Sequence, residues 1–262
     1  MLARRAGLGT RVDGAWYCST GCLETAVSQR LRVPARLSVR PPSIPPLRLG
    51  TLLLHQGTVT PGSLRDALDA QRLSGLKLGA QLRAMGILQP LDLLRGLAAQ
   101  GGVGYLTHVD VSCVREAPGN LSPHALRALG VVPVDADAEA RRLRVACLAP
   151  VPRTALGALY ELTGWSVEPL LVSDEHLEPL MAAYGVARDA DRPVVETHTE
   201  TTLARATERV ARAAEEAGEV RIRQTRFEPY LWVRLESDDR IEDVLCAESL
   251  GGESCLAAPT LP

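Results

Sequence analysis

The chain of 262 residues carries 29 basic and 31 acidic side chains, a formal net charge of -2, which excludes the bulk positive field that gathers nucleic-acid polymers. Hydrophobic residues make up 46% but aromatics only 3%, with a single Phe227, so a globular core has to be assembled from Leu, Val and Ala, as in α-rich or α+β domains. The cysteines at 18, 22, 113, 147, 246 and 255 are scattered rather than dense, no apolar run reaches bilayer-spanning length, and the N-terminus lacks a signal-peptide core; a reducing, cytoplasmic location is expected.

Residues 1–33 form a short cysteine-containing segment. Within it GAWYCSTGCLE, residues 14–24, resembles the second half of a treble-clef or zinc-ribbon knuckle. Structural zinc takes four ligands, and no cysteine pair precedes Cys18. The expectation is therefore two free thiols, Cys18 and Cys22, on a short helix, with zinc bound there only if a partner chain or further sequence completes the set. Residues 34–46, PARLSVRPPSIPP, hold five prolines and read as a semi-rigid linker.

An internal repeat follows. RLGTLLLHQGTVTPGSLRDALDAQ, residues 48–71, aligns without a gap on KLGAQLRAMGILQPLDLLRGLAAQ, residues 77–100, at a constant offset of 29. Gly50 matches Gly79, Leu53 matches Leu82, Gly57 matches Gly86 and Val59 matches Leu88. Pro61 matches Pro90, Leu64 matches Leu93, Leu68 matches Leu97 and Gln71 matches Gln100. Each copy predicts two short helices. Gly57 and Gly86 sit where a left-handed C-terminal cap is wanted, and Pro61 and Pro90 open the second helix of each pair. Thr60 is a good N-cap and Gln89 a poor one. Leu64, Ala67, Leu68 and Gln71 share one face at spacings of three and four.

Residues 102–186 predict an α+β subdomain: a turn and short strand over GGVGYLTHVDVSCV, a helix in LSPHALRALG, and a hairpin turning between Asp135 and Ala140. A helix in PRTALGALYELTG, a strand in WSVEPLLV and a helix capped at Ser173 complete it. A polar linker over 187–201 leads to a segment, 202–247, with an amphipathic helix ending at Gly218 and a β-hairpin across Glu228 and Pro229. Residues 248–262 read as a disordered tail. The fold class is α+β: a helical tandem repeat packed with a small α/β subdomain over 47–186, then a helix and hairpin.

A doubled motif that begins Arg48-Leu49-Gly50 and Lys77-Leu78-Gly79 and ends in Gln suits a ligand with internal two-fold symmetry, and cyclic di-GMP is such a ligand. At Gly50 and Gly79 the absent side chain lets backbone amides approach a base or phosphate. Arg48 can donate two parallel bonds to guanine O6 and N7 or pair with a phosphate. Leu49, Leu53, Leu54, Leu64 and Leu68, with Leu78, Leu82, Leu88, Leu93 and Leu97, offer apolar surface, and Gln71 and Gln100 offer donors and acceptors. The competing reading makes the glycines caps and the leucines an ordinary core stripe.

The repeat resembles the MshEN domain, the N-terminal cyclic-di-GMP-binding domain of type II secretion and type IV pilus assembly ATPases, over roughly residues 47–185. That family's pattern of RLG, two apolar residues, Gly, two further apolar residues, spaced leucines and Gln is met by residues 48–71, with Thr58 in place of an apolar residue beside Val59. In the second copy Lys77 stands for Arg and Arg83 for an apolar residue; Lys keeps the charge but loses the planar fork. The resemblance implies a nucleotide site made of Arg48, Leu49, Gly50, Leu53, Leu54, Gly57, Val59, Leu64, Leu68 and Gln71, with their counterparts Lys77, Leu78, Gly79, Leu82, Gly86, Leu88, Leu93, Leu97 and Gln100. It implies secretion or pilus machinery as partners.

The GxxxxGK[ST] string of the ATPases occurs nowhere in the chain, so a sensor without a motor is expected, and no enzyme. The alternative is an interaction scaffold of a secretion or pilus system whose nucleotide pocket is degenerate. His55 reads as an exposed helix residue, and His108 with Asp110, on the following strand, as an ordinary pair. No Ser, His and Asp arrangement signals nucleophilic catalysis.

Overall fold

The computed structural model describes residues 9–32, 47–115, 121–187, 201–217, 219–227, 230–238 and 241–247. The proline-rich stretch 34–46, nearly all of the polar stretch 187–201, and residues 248–262 fall outside these. The chain divides into two compact units, one from residues 36–194 and one built from both chain ends.

After α1 (Thr20–Arg32), which belongs to the terminal unit, the central unit begins with four helices: α2 (Leu49–His55), α3 (Pro61–Ser74), α4 (Leu78–Ala84) and α5 (Pro90–Gly101). Their boundaries follow local chemistry. Gly57 and Gly86 adopt φ of 68° and 70°, the left-handed conformation that ends a helix at little steric cost. Thr60 accepts from the Ser63 amide while the Ser63 side chain accepts from the Thr60 amide, a reciprocal cap in front of Pro61. Gln89 makes no side-chain cap at the matching place. The two copies pack crosswise, α2 against α5 and α3 against α4. Leu53, Val59, Ala67, Leu82 and Leu88 form their shared core.

The rest of this unit is a four-stranded sheet in the order β3-β6-β5-β4, made of β3 (Gly104–Tyr105), β4 (Val131–Asp137), β5 (Arg142–Cys147) and β6 (Ser166–Leu171). β4 and β5 are the expected hairpin; β6 returns parallel to β5 through α7 (Arg153–Thr163). The prolines sit where a strand can spare an N–H. Pro133 lies on edge strand β4 beside a register shift, and Pro169 precedes the two residues of β6 that pair with β3. Helices α6 (Pro123–Leu129) and α8 (Asp174–Ala187) pack on β4. Tyr184 donates to the Leu121 carbonyl at 2.9 Å, closing that layer.

One local expectation fails. His108 and Asp110 are not on a strand: β3 stops at Tyr105, and Asp110 caps a 3-10 turn, Val111–Cys113, accepting from the Ser112 amide at 3.2 Å. The alternation of Val109, Val111 and Cys113 mimics a strand, but an Asp that can bond the backbone two residues on favours the turn.

The terminal unit is a five-stranded sheet in the order β2-β1-β7-β8-β9: β1 (Thr10–Val12), β2 (Ala15–Tyr17), β7 (Glu219–Phe227), β8 (Tyr230–Glu236) and β9 (Ile241–Ala247). The first and last segments of the chain, read apart in the sequence, are thus joined, because β1 pairs parallel with β7 through Arg11↔Glu219 and Val12↔Val220. The β7–β8 hairpin is as expected, and β9 extends it antiparallel. Helices α1 (Thr20–Arg32) and α9 (Thr201–Ala217) pack together and share a core of Leu23, Val27, Leu31, Val210, Ala211 and Ala214 with Val220, Ile222, Leu231, Val233 and Leu235 of the sheet. The orphan carbonyls at the C-terminal end of α1 are met from β7: Gln224 donates to Arg30 O at 3.1 Å and Arg226 to Leu31 O at 3.2 Å.

On the alternate face of β8 a charged pair is fully enclosed. Arg234 faces Asp243 across the β8–β9 register and grips it with both prongs, Nε to Oδ1 at 2.8 Å and Nη2 to Oδ2 at 2.9 Å, while Trp232 Nε1 donates to Oδ1 at 3.0 Å. Arg234 and Asp243 are 0% and 2% exposed. Removing one partner strands the other charge out of water. Asp243→Ala should therefore lower the unfolding free energy of this unit by about 3–5 kcal/mol, measured by urea titration followed through tryptophan fluorescence; a change below about 1 kcal/mol would mean that the pair behaves as a surface bridge.

Candidate functional site

The two motif glycines are contact points before they are anything else. A Cβ placed on Gly50 would lie 3.2 Å from Leu64 Cδ1 and 3.3 Å from Leu78 Cδ2. On Gly79 it would lie 2.6 Å from Leu93 Cδ1 and 3.5 Å from Leu49 Cδ2. Each glycine thus accepts the matching leucine of its own copy (Leu64, Leu93) and the opening leucine of the other (Leu78, Leu49). This reciprocity is a local pseudo-two-fold relation, and it extends to the backbone. Arg48 and Lys77 precede their helices at nearly equal angles, φ -66° and ψ 137° against φ -65° and ψ 145°.

A cavity of about 1030 Å³ opens on one side of this arrangement. The second copy supplies Lys77, Leu78, Gly79, Arg83, Leu93, Leu97 and Gln100; the first supplies Leu49. The opposite wall comes from the α+β subdomain: Ala149, Pro150 and Val151 before α7, Arg153 at its start, and Leu171, Val172, Ser173 and Asp174 between β6 and α8. Arg153 Nη2 donates to the Gly101 carbonyl at 3.3 Å, spanning the two halves. The walls are mostly apolar with three cations and one carboxylate, a composition that suits an anionic ligand with apolar parts.

The anticipated residues divide into three groups. Leu49, Lys77, Leu78, Gly79, Leu93, Leu97 and Gln100 surround the cavity. Leu53, Val59, Leu82 and Leu88 are core, at 0, 5, 0 and 3% exposure, and Leu54 and Leu64 pack against that core; Gly57 and Gly86 are caps. Of the first copy, Arg48 and Leu68 are exposed, Gln71 is half-buried and Gly50 is buried; none of the four lines the cavity. The sequence reading treats Gln100 as a ligand group, but its Nε2 donates to the Leu47 carbonyl at 2.8 Å and clips the end of the second copy to the start of the first. The α+β wall, Arg153 above all, carries no motif; only folding brings it to the repeat.

His55 is exposed at the end of α2. In the terminal unit Cys18 precedes α1 and Cys22 lies in its first turn, so only one of the two thiols is helical; both are exposed, with Sγ atoms 3.6 Å apart. Among the described residues no group of three or more His, Cys, Asp or Glu could hold a metal ion. Also among them, no helix is long and apolar enough to cross a membrane.

Two outcomes follow from these contacts. Gly79→Ala should cost about 1–2 kcal/mol of stability through overpacking against Leu93, with Gly50→Ala close to neutral because its neighbours need give only slightly; paired denaturant titrations measure the difference. A hydrogen bond from the Ser19 side chain, and then one from Cys18, lowers the Cys22 thiol below its usual range, whereas burial pushes Cys147 up to about 12. Since the thiolate is the nucleophile, iodoacetamide at neutral pH should label Cys22 and leave Cys147 untouched. Ser19→Ala should slow the Cys22 reaction, as peptide mass mapping would record.

No family model matches the chain. The type IV pilus assembly ATPase PilB of Thermus thermophilus is 30% identical over 122 residues, covering 47% of this chain but 14% of the relative. The chain therefore spans about a seventh of that relative's length. Among solved structures, MshE with cdg is 28% identical with a TM-score of 0.42, covering 53% of this chain and 99% of that one. The N-terminal domain of XpsE is 20% identical with a TM-score of 0.36, covering 52% and 92%. With its gapless repeat and its identity to a pilus assembly ATPase, the central unit resembles the MshEN-type N-terminal domain of secretion and pilus ATPases.

Proposed function

We propose that this protein is a cyclic-di-GMP-binding regulatory or adaptor protein that acts on secretion or pilus machinery in the cytoplasm and has no ATPase activity of its own. The observation that carries the reading is the reciprocal seating of Gly50 on Leu78 and Gly79 on Leu49. It gives the two motifs matched geometry about one local axis, as a ligand with two identical halves requires. One half of the ligand would enter the cavity beside Lys77, Gly79 and Leu97, with Leu49 at the join. The other would lie over the open face of the first copy, where Arg48 and Leu68 are exposed and Gln71 is half-buried.

The competing reading is a scaffold that binds protein alone. It draws on the same asymmetry: the first copy gives the cavity only Leu49, and the Gln100 amide already serves Leu47. Calorimetric titration of the full chain with cyclic di-GMP separates the two. One ligand per chain is expected, and Arg48→Ala should weaken binding about tenfold or more, the worth of a charge-assisted hydrogen bond. Absence of heat at high-micromolar ligand from a folded protein leaves the scaffold.

A further inference from the structure

The cavity gathers more positive charge than the repeated motif explains. Lys77 opens the second copy, but Arg83 stands where the first copy has Leu54, and Arg153 comes from outside the repeat at the first residue of α7. All three line the same cavity and are exposed. Among the described residues none of them forms an ion pair, and the cavity wall sets one carboxylate, Asp174, against them. An arginine buried in an ion pair would be structural; these three cations line open volume instead, Arg153 with one Nη2 bond to the Gly101 carbonyl.

We propose that Arg83 and Arg153 act with Lys77 as the phosphate-binding cluster of the second half-site, so that the α+β subdomain itself holds the ligand; this rests on the cyclic-di-GMP reading above. A guanidinium presents five donors in a planar fork that matches a phosphate bidentately, which an ammonium cannot do. The replacement of Arg by Lys at 77 removes one such fork from the motif position. Arg83, on the following turn of α4, and Arg153, across the cavity, return two. Arg153 gives one Nη2 bond to Gly101, which leaves its other donors for an anion. It therefore bridges the last turn of α5 to whatever phosphate the cavity holds.

Calorimetry on the full chain with cyclic di-GMP tests this with Arg83→Leu, which installs the residue of the first copy, and with Arg153→Ala and Arg153→Lys. Arg83→Leu and Arg153→Ala should each weaken binding about tenfold, and Arg153→Lys should recover part of the loss, because charge returns without the fork. Arg72→Ala, an exposed residue of α3 paired with Asp69, should bind as the parent does. The ligand-free melting midpoint of Arg83→Leu should match the parent's, and that of Arg153→Ala, which loses one exposed bond to the Gly101 carbonyl, should fall only slightly, which separates a binding contact from a structural one. If the parent chain binds and Arg48→Ala weakens it while Arg83→Leu and Arg153→Ala do not, the cluster is wrong and the cyclic-di-GMP reading stands. If the parent chain gives no heat at all, that reading falls and the cluster with it.

Discussion

The close approach of two glycines to four leucines governs the central unit. Helices α2 and α4 can cross near their starts because neither Gly50 nor Gly79 carries a Cβ, so Leu78 and Leu49 fill the space from opposite sides. That crossing sends α2 onto α5 and α4 onto α3. It places Leu53 and Leu82 at the centre, fully enclosed, and puts the starts of both motifs next to one another. A Cβ at Gly79 would meet Leu93 at 2.6 Å and force a shift there, while one at Gly50 would meet its leucines at 3.2 to 3.3 Å and ask them to give only slightly; larger side chains would crowd either crossing, because packed interiors tolerate added volume poorly. The same constraint that makes the core also makes the symmetry on which the proposed ligand depends.

The symmetry is then broken by what covers it. At the second copy the loops before α7 and before α8 form the wall of a cavity; among the described residues Arg48 and Leu68 of the first copy are exposed and line no part of it. Leu68 is 40% exposed where its counterpart Leu97 lines the cavity. The sequence reading points the other way, since residues 48–71 meet the family pattern more fully than residues 77–100. Pattern strength measures similarity of the copies to one another and to a family. It carries no information on which copy the rest of the chain will cover.

Features legible in the sequence are those decided within a few residues. Gly57 and Gly86, the Thr60 cap, the helix starts at Pro61 and Pro90, the β4–β5 hairpin and the β7–β8 hairpin all follow from local turn and cap chemistry. What stays hidden is settled at long range. The β1–β2 pair is too short to show a period, and its partner β7 lies almost the whole chain away. Arg234 lies on an expected strand but Asp243 on β9, which the sequence does not announce, and register and burial turn both inward. Arg153 reads as an ordinary first residue of a helix, and only the fold sets it on the cavity.

A ligand can shift a protein only through contacts that differ between its states. The elements able to differ here are held by few and exposed bonds, not by the core. The end of α5 is such a place: Gln100 reaches back to the Leu47 carbonyl at 2.8 Å, and Arg153 reaches over to the Gly101 carbonyl at 3.3 Å. One bond fixes the start of the first motif and the other fixes the α+β wall. Both Gln100 and Arg153 also line the cavity. An anion that drew Arg153 or Gln100 toward itself would change the tether on one side without disturbing Leu53 or Leu82. The core holds the two motifs in register, so in the proposed complex any response to ligand would fall at the junction where the repeat meets the α+β subdomain.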